Sequence, residues 1–214
     1  MSFEIVHPEK PTEQDKIDDN DYMLPHQING VLPDFSSFPG MKARIPILIE
    51  EKIISSPVNS VTFENLNGDL DEIYYLEAQL NTTNTSANDY VALLPNNITI
   101  NQTSSHFWDW GGGVSRFNSN KLILFGRYGQ QSIKGTARLI FYSKTGTILR
   151  TSKSQQEAYV GTSIFIGVAS SLWNDTTTNI TSLVIKHTND SARFTGTIKL
   201  YKLVDINLED LTPT

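Results

Sequence analysis

The residues from Asn179 to Leu203 carry the pattern that most restricts how this chain can fold. Two runs of alternating apolar and polar side chains flank a polar tract, residues 187–191. Successive side chains of a β-strand point to opposite faces, so this alternation is typical of a strand with one buried face. We therefore predict a hairpin joined by the polar tract. In its second strand the buried set is Phe194, Gly196, Ile198 and Leu200, and the opposite set is Thr195, Thr197, Lys199 and Tyr201.

Similar short runs recur along the chain from Arg44 onward. They include residues 45–49, 61–63, 74–80, 90–94, 122–125, 137–142 and 164–169, and residues 96–120 form a long connection between two of them. The pattern predicts about nine or ten strands and no amphipathic helix of three turns. Without long crossover helices the sheets should be mostly antiparallel. The predicted fold is all-β, an antiparallel β-sandwich of jelly-roll type with an extended N-terminal arm.

Composition divides the chain into three parts. Residues 1–44 contain five prolines and no sustained period, which predicts an extended, acidic anchoring arm; a disordered tail is the alternative. Residues 45–204 form the predicted sandwich, and residues 205–214 form an acidic tail. The arm is expected to lie along its own domain or a neighbouring subunit. Its apolar assembly residues would include Phe3, Ile5, Tyr22, Leu24, Phe35 and Phe38.

Charge and residue types limit the partners and the chemistry. The net charge is −6, and residues 1–52 carry ten acidic and five basic side chains, which argues against nucleic acid as a partner. The chain has no cysteine, so disulfides and thiolate metal sites are excluded. No apolar run approaches the ~20 residues that cross a bilayer. The four histidines lack the spacing of metal ligands. We therefore expect no membrane, no metal and no cofactor.

The segment from His106 to Trp110 is the one local candidate for ligand binding. Trp108 and Trp110 flank Asp109 on the predicted long connection, and His106 lies close by in sequence. Flat indole faces beside a carboxylate are typical of surfaces that stack a sugar or dock a peptide. The alternative is that the tryptophans close one end of a sandwich or form a subunit contact.

The polar turn from Asn67 to Glu72 is a second candidate site. Oxygen-bearing side chains at alternate positions could hold calcium, although the turn does not match an EF-hand loop, and a solvated turn is the alternative. Catalytic motifs are missing. The string Gly161-Thr162-Ser163-Ile164-Phe165 lacks the second glycine of a nucleophile elbow. We therefore predict that the protein is not an enzyme.

Several strings resemble small β-rich virion proteins of tailed bacteriophages, which are often described as tail, fibre or head-decoration components. The strings are residues 60–69 running into 74–77, residues 94–96, residues 124–129, and residues 173–183 together with 196–201. The resemblance covers about residues 58–203 and consists of a strand-and-turn pattern. It implies a structural or adhesion role in a virion, and it brings no catalytic residue.

The first functional hypothesis is a non-enzymatic structural component of a bacteriophage virion, either a head decoration or a tail or fibre protein. It would attach to other virion proteins through its N-terminal arm, as a symmetric homo-oligomer such as a trimer. The alternative is an adhesion module of a phage tail that binds a receptor or a host-surface glycan through Trp108, Asp109 and Trp110. A sandwich hydrolase and a shell subunit of a small icosahedral virus are further alternatives.

Overall fold

A computed structural model describes residues 42–83, 90–109, 114–125, 132–147, 149–160 and 163–207. The chain divides into a compact unit of residues 44–205 and a second unit of residues 1–43 and 206–214, of which only 42, 43, 206 and 207 are described. The described residues form twelve β-strands and one short α-helix, which confirms the prediction of an all-β fold. No helix among them is long and apolar enough to cross a membrane.

The strands build two sheets. In chain order the elements are β1 (Lys42–Val58), β2 (Ser60–Phe63), α1 (Gly68–Asp71), β3 (Ile73–Thr83), β4 (Val91–Pro95), β5 (Gln102–Asp109), β6 (Val114–Ser119), β7 (Leu122–Phe125), β8 (Ser132–Tyr142), β9 (Arg150–Val160), β10 (Ser163–Trp173), β11 (Leu183–His187) and β12 (Arg193–Asn207). The large sheet has the strand order β1-β12-β3-β8-β9-β10-β5-β6, and the small sheet has the order β2-β11-β4-β7. Every pair with an assigned register is antiparallel.

One hydrophobic core joins side chains of both sheets. Along β3, for example, Leu76, Ala78 and Leu80 are buried, while Glu77 and Gln79 between them are not. Fully burying a large apolar side chain contributes about 1.5–3 kcal/mol, so a core of this size supplies the main force that closes the two sheets. The largest apolar members of the core are Trp173, Tyr74, Phe63, Phe125, Phe141, Phe165 and Phe194.

The two strands between Leu183 and Asn207 do not pair with each other. β11 pairs with β2 and β4 in the small sheet, whereas β12 pairs with β3 in the large sheet. The predicted hairpin is therefore wrong, because the polar residues after His187 carry the chain from one sheet to the other. The predicted buried face of β12 is confirmed for Phe194, Ile198 and Leu200.

Gly196 lies where β12 meets β3 at unusually close range. Its φ is +131°, a conformation that residues with a side chain rarely adopt. A Cβ atom at this position would lie 1.9 Å from the carbonyl oxygen of Gln79. Glycine is therefore required for the two backbones to approach here.

Two stretches depart from the sequence-based expectation. Residues 96–120 are not one long connection, since they contain β5 and β6 at one edge of the large sheet. β9 shows no apolar alternation because its buried side chains are largely polar. They are Arg150, Ser152, Ser154, Gln156 and Ala158.

β1 lies at the other edge of the large sheet. Pro46 predicts this position, because proline cannot donate a ladder hydrogen bond. The strand begins at Lys42, so residues 42–44 of the predicted arm belong to it. Residues 208–214 of the predicted tail lie outside the described residues, as do the predicted arm anchors Phe3, Ile5, Tyr22, Leu24, Phe35 and Phe38.

Candidate interaction surface

The large sheet has one face in the core and a second face that carries its exposed side chains, which we call the outer face. On β10 this face presents large apolar residues: Ile164, Ile166 and Val168 are 58%, 56% and 42% exposed. The residues between them, Phe165 and Gly167, are buried. β10 is thus apolar on both faces, which is unusual for a strand whose outer face meets water.

Neighbouring strands extend this apolar region. Tyr159 on β9 is the register partner of Ile164, and Phe107 on β5 is the register partner of Val168; both are exposed. Side chains directly opposite each other on one face of an antiparallel pair lie about 5 Å apart at Cβ, so they touch. We call the five residues the apolar patch: Phe107, Tyr159, Ile164, Ile166 and Val168.

Charged side chains border the apolar patch in two adjacent rows. In the first row Ile166 is the register partner of both Glu157 on β9 and Asp109 on β5. In the next row along the strands Val168 lies opposite Phe107 and Gln155, and a basic side chain follows one strand further on each side. Those basic residues are Arg138 on β8 and Arg116 on β6. An acidic row therefore lies directly beside a basic one.

Arg116 is fixed against the patch by two contacts. Its guanidinium carbon lies 5.8 Å from the centroid of the Phe107 ring, within the range of a cation–π interaction. Its Nε donates a hydrogen bond of 3.2 Å to Ser105 Oγ. The positive charge is thereby held at the rim of the patch.

The other half of the outer face carries a charged row that alternates in sign. Glu51 Oε1 lies 3.7 Å from Lys199 Nζ, and Glu77 Oε1 lies 3.7 Å from Arg138 Nε. Lys199 and Glu77 are register partners, so the four side chains cross β1, β12, β3 and β8 in one line. Exposed pairs of this kind contribute about 0.2–1 kcal/mol each and keep this half of the face hydrated.

Tyr75 reinforces the charged row from a neighbouring position. Its ring centroid lies 5.7 Å from that of Tyr201, and its hydroxyl donates a hydrogen bond of 2.7 Å to Glu77 Oε1. Burial, followed by this hydrogen bond, raises the pKa of Tyr75 to about 12. The hydroxyl therefore remains a proton donor at neutral pH.

β1 exposes a second set of apolar side chains at the sheet edge. They are Ile45, Ile47, Leu48, Ile49 and Ile53. The paired carboxylate and guanidinium groups of Asp205 and Arg44 join β12 to the beginning of β1 through bonds of 2.6 and 2.9 Å. β12 extends to Asn207, but its register with β3 ends at Lys202. The residues of β12 after Lys202 therefore lie beyond its pairing with β3.

The structure separates the residues of the predicted ligand site. His106 is buried, with its Nε2 2.8 Å from Ser104 Oγ and its ring 5.6 Å from that of Tyr90. Asp109 is exposed on the outer face, three residues later in the same strand. The two side chains therefore do not share a surface. Trp108 pairs in backbone register with Gly167 and Ser115, and Trp110 lies outside the described residues.

The carboxylates of the predicted calcium turn are each engaged by a different partner. Asp69 Oδ1 accepts the backbone N–H of Thr145 at 2.8 Å, and hydrogen bonds from Thr145 lower the pKa of Asp69. Asp71 accepts hydrogen bonds from Tyr74 and Lys202, and Glu72 pairs with Lys144. Among the described residues, no three His, Cys, Asp or Glu side chains are grouped as metal ligands. The residues from Gly68 to Asp71 form α1, and Asn67 caps it by accepting from Leu70 N–H.

Sequence reasoning did not single out the apolar patch or the charged row. The run of residues 164–169 was predicted as a strand, but its two apolar faces could equally signal a strand buried on both sides. The available clue was the small size of Gly167 and Ala169, which alternate with the larger Ile166 and Val168. Comparisons of the chain with protein-family models, with curated proteins and with solved structures found no match.

Proposed function

We propose that this protein is a non-enzymatic structural component of a bacteriophage virion, a head decoration or a tail or fibre protein, that joins other virion proteins through its N-terminal segment and β1. The supporting observation is the exposed edge of the large sheet. β1 is 17 residues long and carries five exposed apolar side chains. We also propose that the connections between the strands of the sandwich follow a jelly-roll topology.

An edge strand presents a row of unpaired N–H and C=O groups, which is a template for another strand. Proteins that remain alone commonly protect such edges with charges, prolines or short strands. β1 has Pro46 and Pro57, but isoleucines or leucine occupy residues 45 and 47–49. This composition favours addition of a strand or apolar segment from a neighbouring subunit.

The interior of the sandwich supports a non-enzymatic role. Ser104 and His106 are hydrogen-bonded, as a nucleophile and its base would be. However, only 5% of Ser104 and 0% of His106 is exposed, so the pair lies on the buried face of the large sheet and not in an open cleft. In this position the hydrogen bond satisfies two buried polar groups.

A substitution that adds charge to β1 tests the attachment. In the variant Ile47→Lys with Ile49→Lys, we expect the protein to fold and to be lost from phage particles purified by density gradient. Quantitative mass spectrometry of the particles gives the copy number relative to the wild type. Ile100→Lys is the matched control, because Ile100 is an exposed apolar residue shortly before β5, and β5 lies at the opposite end of the strand order from β1. Absence of the wild-type protein from particles, or equal loss of the control, would refute the proposal.

The exposed Asp109 and Phe107 favour an adhesion module as a second candidate function. Both side chains are exposed on β5, on the outer face of the large sheet. Titration of tryptophan fluorescence with host-surface saccharides tests this candidate. A saturable change that Asp109→Asn weakens would support it, and no change with any saccharide would exclude it.

A further inference from the structure

We propose that two copies of this chain associate face to face through the apolar patch, about a two-fold axis that crosses the strands between the acidic row and the basic row. This inference goes beyond the virion role, because it names a second copy as the partner and the outer face as the contact. It does not depend on where the protein functions.

The first argument is the exposure of the patch on the described part of the large sheet. Ile164, Ile166 and Val168 follow one another at every second position, so they form a continuous apolar ridge along β10. Contiguous apolar surface of this kind on a folded protein marks an interaction site. A second sheet packed about 10 Å above the first would cover the ridge.

The second argument is that the two rows are complementary to each other. A two-fold axis between them places each acidic row over the basic row of the other copy. Ile166 then meets Val168 of the second copy, Glu157 approaches the second copy's Arg138, and Asp109 approaches the second copy's Arg116. Because the axis repeats every contact, each charge pair occurs twice. A random arrangement of the same charges would not match itself in this way.

The third argument is size. Five strands spaced about 4.8 Å apart and seven residues of about 3.4 Å each give roughly 550–600 Å² of projected face. Side-chain relief makes the accessible surface larger, which approaches the ~800 Å² that each partner buries in a stable interface. The charged row across β1, β12, β3 and β8 remains largely outside the contact.

Two complementary charge reversals test the arrangement in the full-length protein. We expect wild type to sediment as a dimer in analytical ultracentrifugation, and Glu157→Arg or Arg138→Glu alone to raise the dissociation constant at least 10-fold. In an equimolar mixture of the two variants every contact between residues 157 and 138 of opposite copies is again attractive, so the dimer should return. If each substitution instead acted only within its own chain, mixing the two variants would not restore the dimer.

Two further variants separate interface loss from misfolding. Ile166→Lys should also give a monomer, and Glu64→Arg should leave the dimer intact, because Glu64 is exposed beyond the end of β2 and outside the outer face. Circular dichroism should show unchanged strand content for all of them. A monomeric wild type at about 100 μM, a trimer, or a mixture that remains monomeric would overturn the proposal.

Discussion

Arg150 holds together one end of the sandwich and gives the sharpest test of how that end is stabilised. Its side chain is fully buried at the start of β9 and donates hydrogen bonds to three backbone carbonyls. The donor–acceptor distances are 3.3 Å to Lys144, 3.0 Å to Asp175 and 2.7 Å to Thr178. The guanidinium carbon lies 5.0 Å from the centroid of a Trp173 ring. One side chain therefore ties two connections to the core.

Replacing Arg150 with methionine brings two opposing effects into play. Hydrogen bonds to a charged group contribute about 1.5–3 kcal/mol each, so losing three should cost about 5 kcal/mol at the lower end of that range. Removing the buried charge relieves a desolvation penalty of several kcal/mol. That penalty is real here, because burial lowers the pKa of Arg150 and its Nη2 has no partner among the described residues. We expect a net loss of about 2 kcal/mol in the free energy of unfolding, by difference.

Urea unfolding followed by circular dichroism measures this loss. With a slope of about 2 kcal/mol per molar urea, the midpoint should fall by about 1 M. Arg44→Met is the matched control, since the Arg44 side chain is 46% exposed and lies outside the proposed dimer contact, and its midpoint should move by less than about 0.5 M. Equal midpoints for the two variants would show that the hydrogen bonds of Arg150 do not stabilise the fold.

Two further predictions concern the backbone and pH. Gly196→Ala should lower the free energy of unfolding by at least about 2 kcal/mol in the same assay, because of the positive φ and the approach to Gln79; an unchanged midpoint would contradict this. Burial alone would raise the pKa of Asp175, but hydrogen bonds from Thr178 and Thr177 outweigh it and lower the pKa to about 2. This carboxylate therefore stabilises the fold above about pH 4, and the contribution disappears as pH falls towards 2. Between about pH 4 and pH 2 the urea midpoint of Asp175→Asn should therefore fall less steeply than that of the wild type. An equally steep fall for both proteins would argue against this role of Asp175.

Local alternation predicted the strands whose inner faces are apolar. In β3 and β12 the residues that alternate in sequence are the residues that alternate in burial, so their faces could be assigned from the chain alone. β9 could not be found in this way, because serines and Arg150 occupy its inner face. The small sheet nevertheless covers the polar inner face of β9. The sequence does not show this cover, because it depends on how the two sheets pack.

Pairing between strands lay beyond the sequence for a different physical reason. β11 and β12 both have an inward face, and alternation is identical whether two strands pair with each other or face each other across a core. For the same reason, the sequence did not show which side chains share the outer face of the large sheet. His106 and Asp109 looked like one site because they are close in sequence, yet an odd separation of three residues sends them to opposite sides of β5.

The distribution of apolar side chains on the large sheet would allow one domain to make both proposed contacts. Exposed apolar residues lie on β1 at one edge and around β10, while the intervening outer face of β12, β3 and β8 carries the charged row. Five strand spacings of about 4.8 Å separate β1 from β10, or roughly 24 Å. Burying the alternating charges between them would cost desolvation that exposed pairs do not repay. A partner on β1 and a second copy on the apolar patch therefore need not compete, and a Glu157→Arg variant should keep its attachment through β1 while losing its dimer.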